Sequence, residues 1–107
     1  MYDTKLIAEI GLNHGGSLER AKNLVKLARQ SGVWGVKFQY FKINSLFNIK
    51  YYKKILNIKR DFQNEIQKLL LNDKDFIHLI LYTIKINLPF GISFFSKEGL
   101  WANFKYA

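Results

Sequence analysis

The chain has no cysteine, one proline and one methionine among its 107 residues. Without cysteine there is no disulfide framework and no thiolate metal site, and a reducing compartment suits such a chain. With Pro89 as the only proline, no proline-rich linker divides the sequence, and no internal repeat or low-complexity tract does so either. Histidine is scarce: His14 and His78 follow no spacing that makes a zinc signature. Acidic residues number 8 against 17 basic ones, a formal net charge of +9. Long apolar runs are missing too. The longest apolar region, Phe76 to Leu88, is interrupted by His78, Thr83, Lys85 and Asn87, far short of the roughly 20 residues a membrane span needs. Asp3 and Glu9 break the N-terminal apolar stretch before it reaches signal-peptide length. These absences argue against a stapled secreted scaffold, a zinc module and a membrane protein. A cytoplasmic location without a membrane partner is the expectation.

What is present is globular in kind: 49% hydrophobic residues and 16% aromatic. The length allows one domain, residues 1–107, with a modest core. The lysines are spread along the chain. Their densest group, Lys50, Lys53, Lys54 and Lys59 with Arg60, is interleaved with tyrosine and isoleucine, which reads as a solvated helix face rather than a nucleic-acid surface.

Lys5 to Ile10 is a short apolar run ended by Gly11, the pattern of a buried strand. Ser17 is a good N-cap and Glu19 suits the first turn of the helix that follows. Leu18, Ala21, Leu24, Val25 and Ala28 recur at helical spacing, and Gly32 stands where a left-handed C-terminal cap belongs. Trp34 to Phe41 reads as a second strand. Strand, helix and strand in about 35 residues make one βαβ unit, for which parallel pairing with a right-handed crossover is the default. Further on, 42–60 reads as loop plus a short helix. Asp61 to Leu71 reads as a helix with Phe62, Ile66, Leu69 and Leu70 on one side. Asn72 or Asp73 caps a stronger helix, with Phe76, Ile77, Ile80, Leu81 and Ile84 as its expected core face. Phe90 to Phe95 is a third strand.

Strand alternation places Ile7, Glu9 and Gly11 on one face and Leu6, Ala8 and Ile10 on the other. It likewise separates Gly35, Lys37 and Gln39 from Trp34, Val36 and Phe38. In a parallel barrel the more apolar faces lie under the helices. Glu9, Lys37 and Gln39 then point inward near the C-terminal strand ends, where barrel active sites sit. A lysine there holds a carboxylate or phosphate as a point charge, and a glutamate beside it acts as a base or stabilises positive charge. The competing structural reading is a buried, self-neutralising ion pair. The loop Asn13-His14-Gly15-Gly16 lies at the same end, with glycines that allow close approach and a helix N-terminus behind them. Its structural alternative is an ordinary βα turn with a surface histidine. His78 falls mid-helix, at a surface or helix–sheet boundary. Ser96, after the third strand, is either an anion donor or a turn serine.

Ile7-Ala8-Glu9-Ile10-Gly11-Leu12-Asn13-His14-Gly15-Gly16, then Ala21-Lys22, then Gly35-Val36-Lys37-Phe38-Gln39-Tyr40-Phe41-Lys42, resembles the opening of the sialic acid synthase family. That family includes N-acetylneuraminate, pseudaminic and legionaminic acid synthases. Glu65 to Leu69, Asn72 to Phe76, and Gly91-Ile92, Phe94 and Ser96 continue the likeness, which runs from residue 5 to 96 and leaves 97–107 as an unmatched tail. The resemblance implies an α/β fold, the N-terminal portion of a (β/α)₈ TIM barrel with about three parallel strands and intervening helices, incomplete. It also implies a transferase that condenses phosphoenolpyruvate with an N-acylated amino sugar such as N-acetylmannosamine. In the family, phosphoenolpyruvate carbon attacks the open-chain aldehyde, water adds to the resulting cation, and phosphate leaves. A divalent metal, Mn or Mg, polarises the aldehyde, and the full-length enzyme is a homodimer. By position, Glu9 lies beside the reacting phosphoenolpyruvate carbon, Lys37 binds the phosphoenolpyruvate anion, Gln39 contacts the sugar and Ser96 sits near the phosphoenolpyruvate site.

Three departures stand against a complete enzyme. The family's Ser-Thr-x-Phe after the third strand is read here as Ser96-Lys97-Glu98-Gly99, without the threonine. The two metal-ligating histidines of later strands are absent, and His14 and His78 do not replace them. The C-terminal antifreeze-like domain is absent as well. A full barrel takes about 250 residues, so the expectation is a truncated synthase, inactive alone. The alternative is a small basic binding or interaction protein that retains part of a barrel, and a third reading is one half of a split enzyme.

Overall fold

The computed structural model of the protein describes residues 4–41 and 62–94. In chain order these form strand β1 (Ile7–Gly11), helix α1 (Leu18–Gln30), strand β2 (Gly35–Tyr40), a short helix α2 (Phe62–Gln67), helix α3 (Asp73–Lys85) and strand β3 (Phe90–Phe94). The three strands make one sheet in the order β1-β2-β3, parallel throughout. This is the expected βαβ arrangement, and β2 is its central strand.

Local chemistry explains the boundaries. The Ser17 side chain accepts the Arg20 N–H at 3.2 Å and starts α1. At its end the Ser31 N–H bonds the last carbonyls, and Gly32 takes the left-handed conformation at φ +80°. Asn72 accepts the Asp75 N–H at 2.7 Å and starts α3. Asn87, at φ 57°, turns the chain out of α3 toward Pro89. The Pro89 carbonyl accepts the Val36 N–H at 2.9 Å, and a Cβ on Gly35 would stand 2.7 Å from that same oxygen, so β2 starts close against the entry to β3.

The core lies between one face of the sheet and helices α1 and α3. Ile10, Val36, Phe38 and Tyr40 meet Ala21, Val25 and Ala28 of α1 and Phe76, Leu79 and Ile80 of α3. The Phe38 and Phe76 rings meet edge-on at 6.3 Å, and Tyr40 and Phe76 stand 5.0 Å apart. The α1 residues agree with the sequence periodicity.

Several expectations are corrected. The buried face of α3 is Phe76, Leu79, Ile80 and Thr83, not the stripe through Leu81 and Ile84, which are 53% and 48% exposed. Thr83 can be buried because its hydroxyl donates to the Leu79 carbonyl at 2.8 Å. The helix expected over 61–71 spans Phe62–Gln67 and closes in a turn at 68–70, which leaves Leu69 exposed. Leu6 precedes β1 and is exposed rather than under a helix, and Trp34 precedes β2 and is exposed with the Lys5 ammonium over its ring. The expected loop and helix over 42–60, the end of the third strand at Phe95, and the tail 97–107 lie outside the described residues.

Candidate active site

The site builds from the face of the sheet opposite α1 and α3. In a parallel pair, residues in register share a face. Glu9 is in register with Lys37, Lys37 with Gly91, and Gln39 with Ser93. Alternation thus carries one polar row across all three strands. The Lys37 Nζ lies 3.6 Å from the Glu9 Oε2. The convergence of Glu9, Lys37 and Gln39 read from the sequence is the arrangement observed.

The competing picture of a buried ion pair is overturned. The side chains of Lys37 and Glu9 are 45% and 46% exposed, because this face of the sheet carries no helix among the described residues. A pair so exposed contributes only about 0–1 kcal/mol. Its charges remain open to a solute.

Gly11 shapes the site. Its φ is +51°, and the β1–β2 register shifts between Glu9 and Gly11. A Cβ there would stand 3.2 Å from the Glu9 Oε1 and 3.6 Å from the Gln39 Nε2. The missing side chain leaves the space into which these two groups lean. Gly91, in register with Lys37, likewise leaves open space above β3.

Ser93 is a residue that sequence reasoning missed. It lies on the polar row in register with Gln39, and the alternation of Phe90, Ile92 and Phe94 toward the core would have found it. Ser96, the hydroxyl expected near the site, lies outside the described residues.

The β1–α1 loop borders the same strand ends. The Asn13 side-chain amide donates to the Ile10 carbonyl at 2.9 Å, and the Gly15 N–H to the Leu12 carbonyl at 3.0 Å. His14 is not the surface histidine of an ordinary turn: it is 3% exposed, and its Nδ1 accepts the Gly16 N–H at 3.0 Å. Burial lowers its pKa below the usual histidine value. His78 is exposed on α3, as expected.

Among the described residues no three His, Asp or Glu side chains form a cluster. The carboxylate of the polar row, Glu9, faces a cation already.

No protein-family model matches the chain. It is 37% identical over 105 residues to the N,N'-diacetyllegionaminic acid synthase of Campylobacter jejuni, a match that covers 94% of this chain and 31% of that protein. Its fold matches the crystal structure of the N-acetylneuraminic acid synthetase of Leptospira borgpetersenii in complex with citrate, with a TM-score of 0.71 at 26% identity. That match covers 94% of this chain and 32% of the other. The likeness is to the N-terminal part of the sialic acid synthase family. The spore coat polysaccharide biosynthesis protein spsE of Bacillus subtilis shares the fold, with a TM-score of 0.65 at 23% identity over 26% of its length. The chain therefore spans about a third or less of the length of these synthase-family proteins, and its sheet is a partial barrel. Among the described residues no helix is long and apolar enough to cross a membrane.

Proposed function

We propose that the polar row of the sheet is the phosphoenolpyruvate-binding side of a nonulosonic acid synthase site. The reaction would join phosphoenolpyruvate to an N-acylated amino sugar such as N-acetylmannosamine, with release of phosphate. The observation that carries this reading is the open Glu9–Lys37 pair, with Gln39 and Ser93 in register on the same face.

The Lys37 ammonium meets the carboxylate or phosphate of phosphoenolpyruvate as a compact point charge. Because the pair with Glu9 is worth so little in its exposed setting, an incoming polyanion takes over the lysine at small cost. The Ser93 hydroxyl donates to the same anion. The Glu9 side chain lies beside the reacting carbon. As that carbon attacks the aldehyde, positive charge develops on the neighbouring carbon that bears the phosphate oxygen, and Glu9 offsets it until water adds there, its proton passes to the new alkoxide and phosphate departs to leave the ketone. The Gln39 amide supplies a donor and an acceptor to the sugar hydroxyls. Ser96 adds a hydroxyl near the phosphoenolpyruvate.

The resemblance implies that a divalent metal and a second subunit would complete the site in a full-length synthase. We therefore propose that the chain alone binds the anion and does not turn it over. The test is phosphate release from phosphoenolpyruvate plus N-acetylmannosamine, run on the isolated chain beside calorimetric binding of phosphoenolpyruvate. Binding without release supports the reading. No binding refutes it.

A further inference from the structure

We propose that His14 is a positioning residue: its neutral, Nε2-protonated imidazole pins the Gly15–Gly16 loop at the mouth of the polar row. The functional meaning of that mouth rests on the reading of the site given above. The physics of the pin rests on the loop itself.

His14 stands between two exposed residues, Asn13 and Gly15, yet is itself 3% exposed. Its Nδ1 accepts the Gly16 N–H at 3.0 Å. An accepting nitrogen carries no proton, so the ring proton sits on Nε2. The bond spans a reversal of the chain: Gly15 and Gly16 are consecutive left-handed residues at φ 60° and 83°. The His14 carbonyl in turn accepts the N–H of Ser17, the cap of α1, at 3.1 Å. One residue thus ties both ends of the turn to the helix start.

The turn is also held from outside. A Cβ on Gly16 would collide with the Lys68 carbonyl oxygen, so the Gly16 backbone lies flat against the turn between α2 and α3. The His14 ring lines a small cavity with Gln39, Tyr40, Leu71 and Phe76. Gln39 belongs to the polar row, so the pinned loop and the site share a wall.

A second proton on the ring would turn Nδ1 into a donor aimed at the Gly16 N–H, with no acceptor between them. Burial, which lowers the His14 pKa, opposes that proton. The Arg20 guanidinium of α1 lies close to Gly15, and Asp73 at the start of α3 is engaged by the Tyr40 hydroxyl. Lys68 presents its backbone carbonyl to Gly16. The other described groups lining the cavity are uncharged.

The experiment is nitrogen-15 NMR of the imidazoles in the full chain, with His78 as the exposed internal reference, combined with amide exchange at Gly16. The expected result is an unprotonated Nδ1 and a protonated Nε2 on His14, with Gly16 exchange slowed at least tenfold relative to an exposed loop amide. His14→Phe keeps the ring and removes the acceptor, so Gly16 exchange accelerates about tenfold. His14→Asn restores an acceptor near the Nδ1 position and recovers part of the protection. Inorganic phosphate binding weakens in the phenylalanine variant and recovers in the asparagine variant. A His14 protonated on Nδ1, or equal Gly16 exchange in both variants, overturns the proposal. If neither variant folds, the tautomer of the unaltered chain still decides. Absence of phosphate binding by the unaltered chain, with the tautomer and protection as expected, refutes the site reading and leaves the pin intact.

Discussion

Lys37 faces Glu9 across the β1–β2 ladder, with 3.6 Å from Nζ to Oε2 and nearly half of each side chain in solvent. Two opposite charges at that distance attract by only about 1 kcal/mol in water, and salt screens them further. A double-mutant cycle with Glu9→Gln and Lys37→Met should give a coupling below about 1 kcal/mol that fades in high salt. Glu9→Gln alone should leave the melt almost unchanged and tighten phosphate binding, because it removes the anion that competes for the lysine.

Glycine substitutions should separate strain from collision. Gly32 is left-handed with open space around the site of a Cβ, so Gly32→Ala should cost about 1–2 kcal/mol. Gly16 is left-handed too, but its Cβ would strike a backbone carbonyl. Gly16→Ala should add about 1–3 kcal/mol to the same strain. Urea melts of the two variants compare them directly.

The Tyr40 hydroxyl donates to the Asp73 carboxylate at 2.6 Å and joins the C-terminal end of β2 to the start of α3. Tyr40→Phe keeps the ring packing with Phe76 and Phe94 and removes that bond. A hydrogen bond to a charged group is worth about 1.5–3 kcal/mol, and a chemical denaturation curve should show a loss of that order.

Acid should weaken the fold through His14. Its folded pKa is lowered by burial, so the unfolded chain binds the proton more readily. Stability is therefore full above the ordinary histidine pKa near 6.5 and declines as pH falls from there toward the lowered folded value. Melting temperatures between pH 7 and pH 5 should drop in the unaltered chain and stay flatter in His14→Asn.

The three parallel strands, the cap at Ser17, a second cap at Asn72 or Asp73 (Asn72 in the structure) and the α1 core were legible because each rests on local chemistry or a clean period. The face of α3 was not. That helix is apolar on more than one side, so periodicity could not reveal that Thr83 turns inward, satisfied by its own helix, while Leu81 and Ile84 turn outward. Convergence of Glu9, Lys37 and Gln39 followed from alternation, but their exposure depended on what covers the sheet, which alternation does not state. His14 was hidden for another reason: a histidine between an asparagine and a glycine looks like a surface turn, yet it is buried and lines a small cavity with Leu70 and Leu71, far along the chain. Ser93 could have been read from the same two-residue period that placed Gln39.

The most direct test of the polar row as an anion site is calorimetric titration of phosphoenolpyruvate into the unaltered chain and into Lys37→Met, at low and moderate salt. Binding should weaken at least tenfold in the variant and fall with salt, while the melt of the variant stays within about 0.5 kcal/mol of the original. Equal affinity in both chains, or no binding to either, would contradict an anion site there.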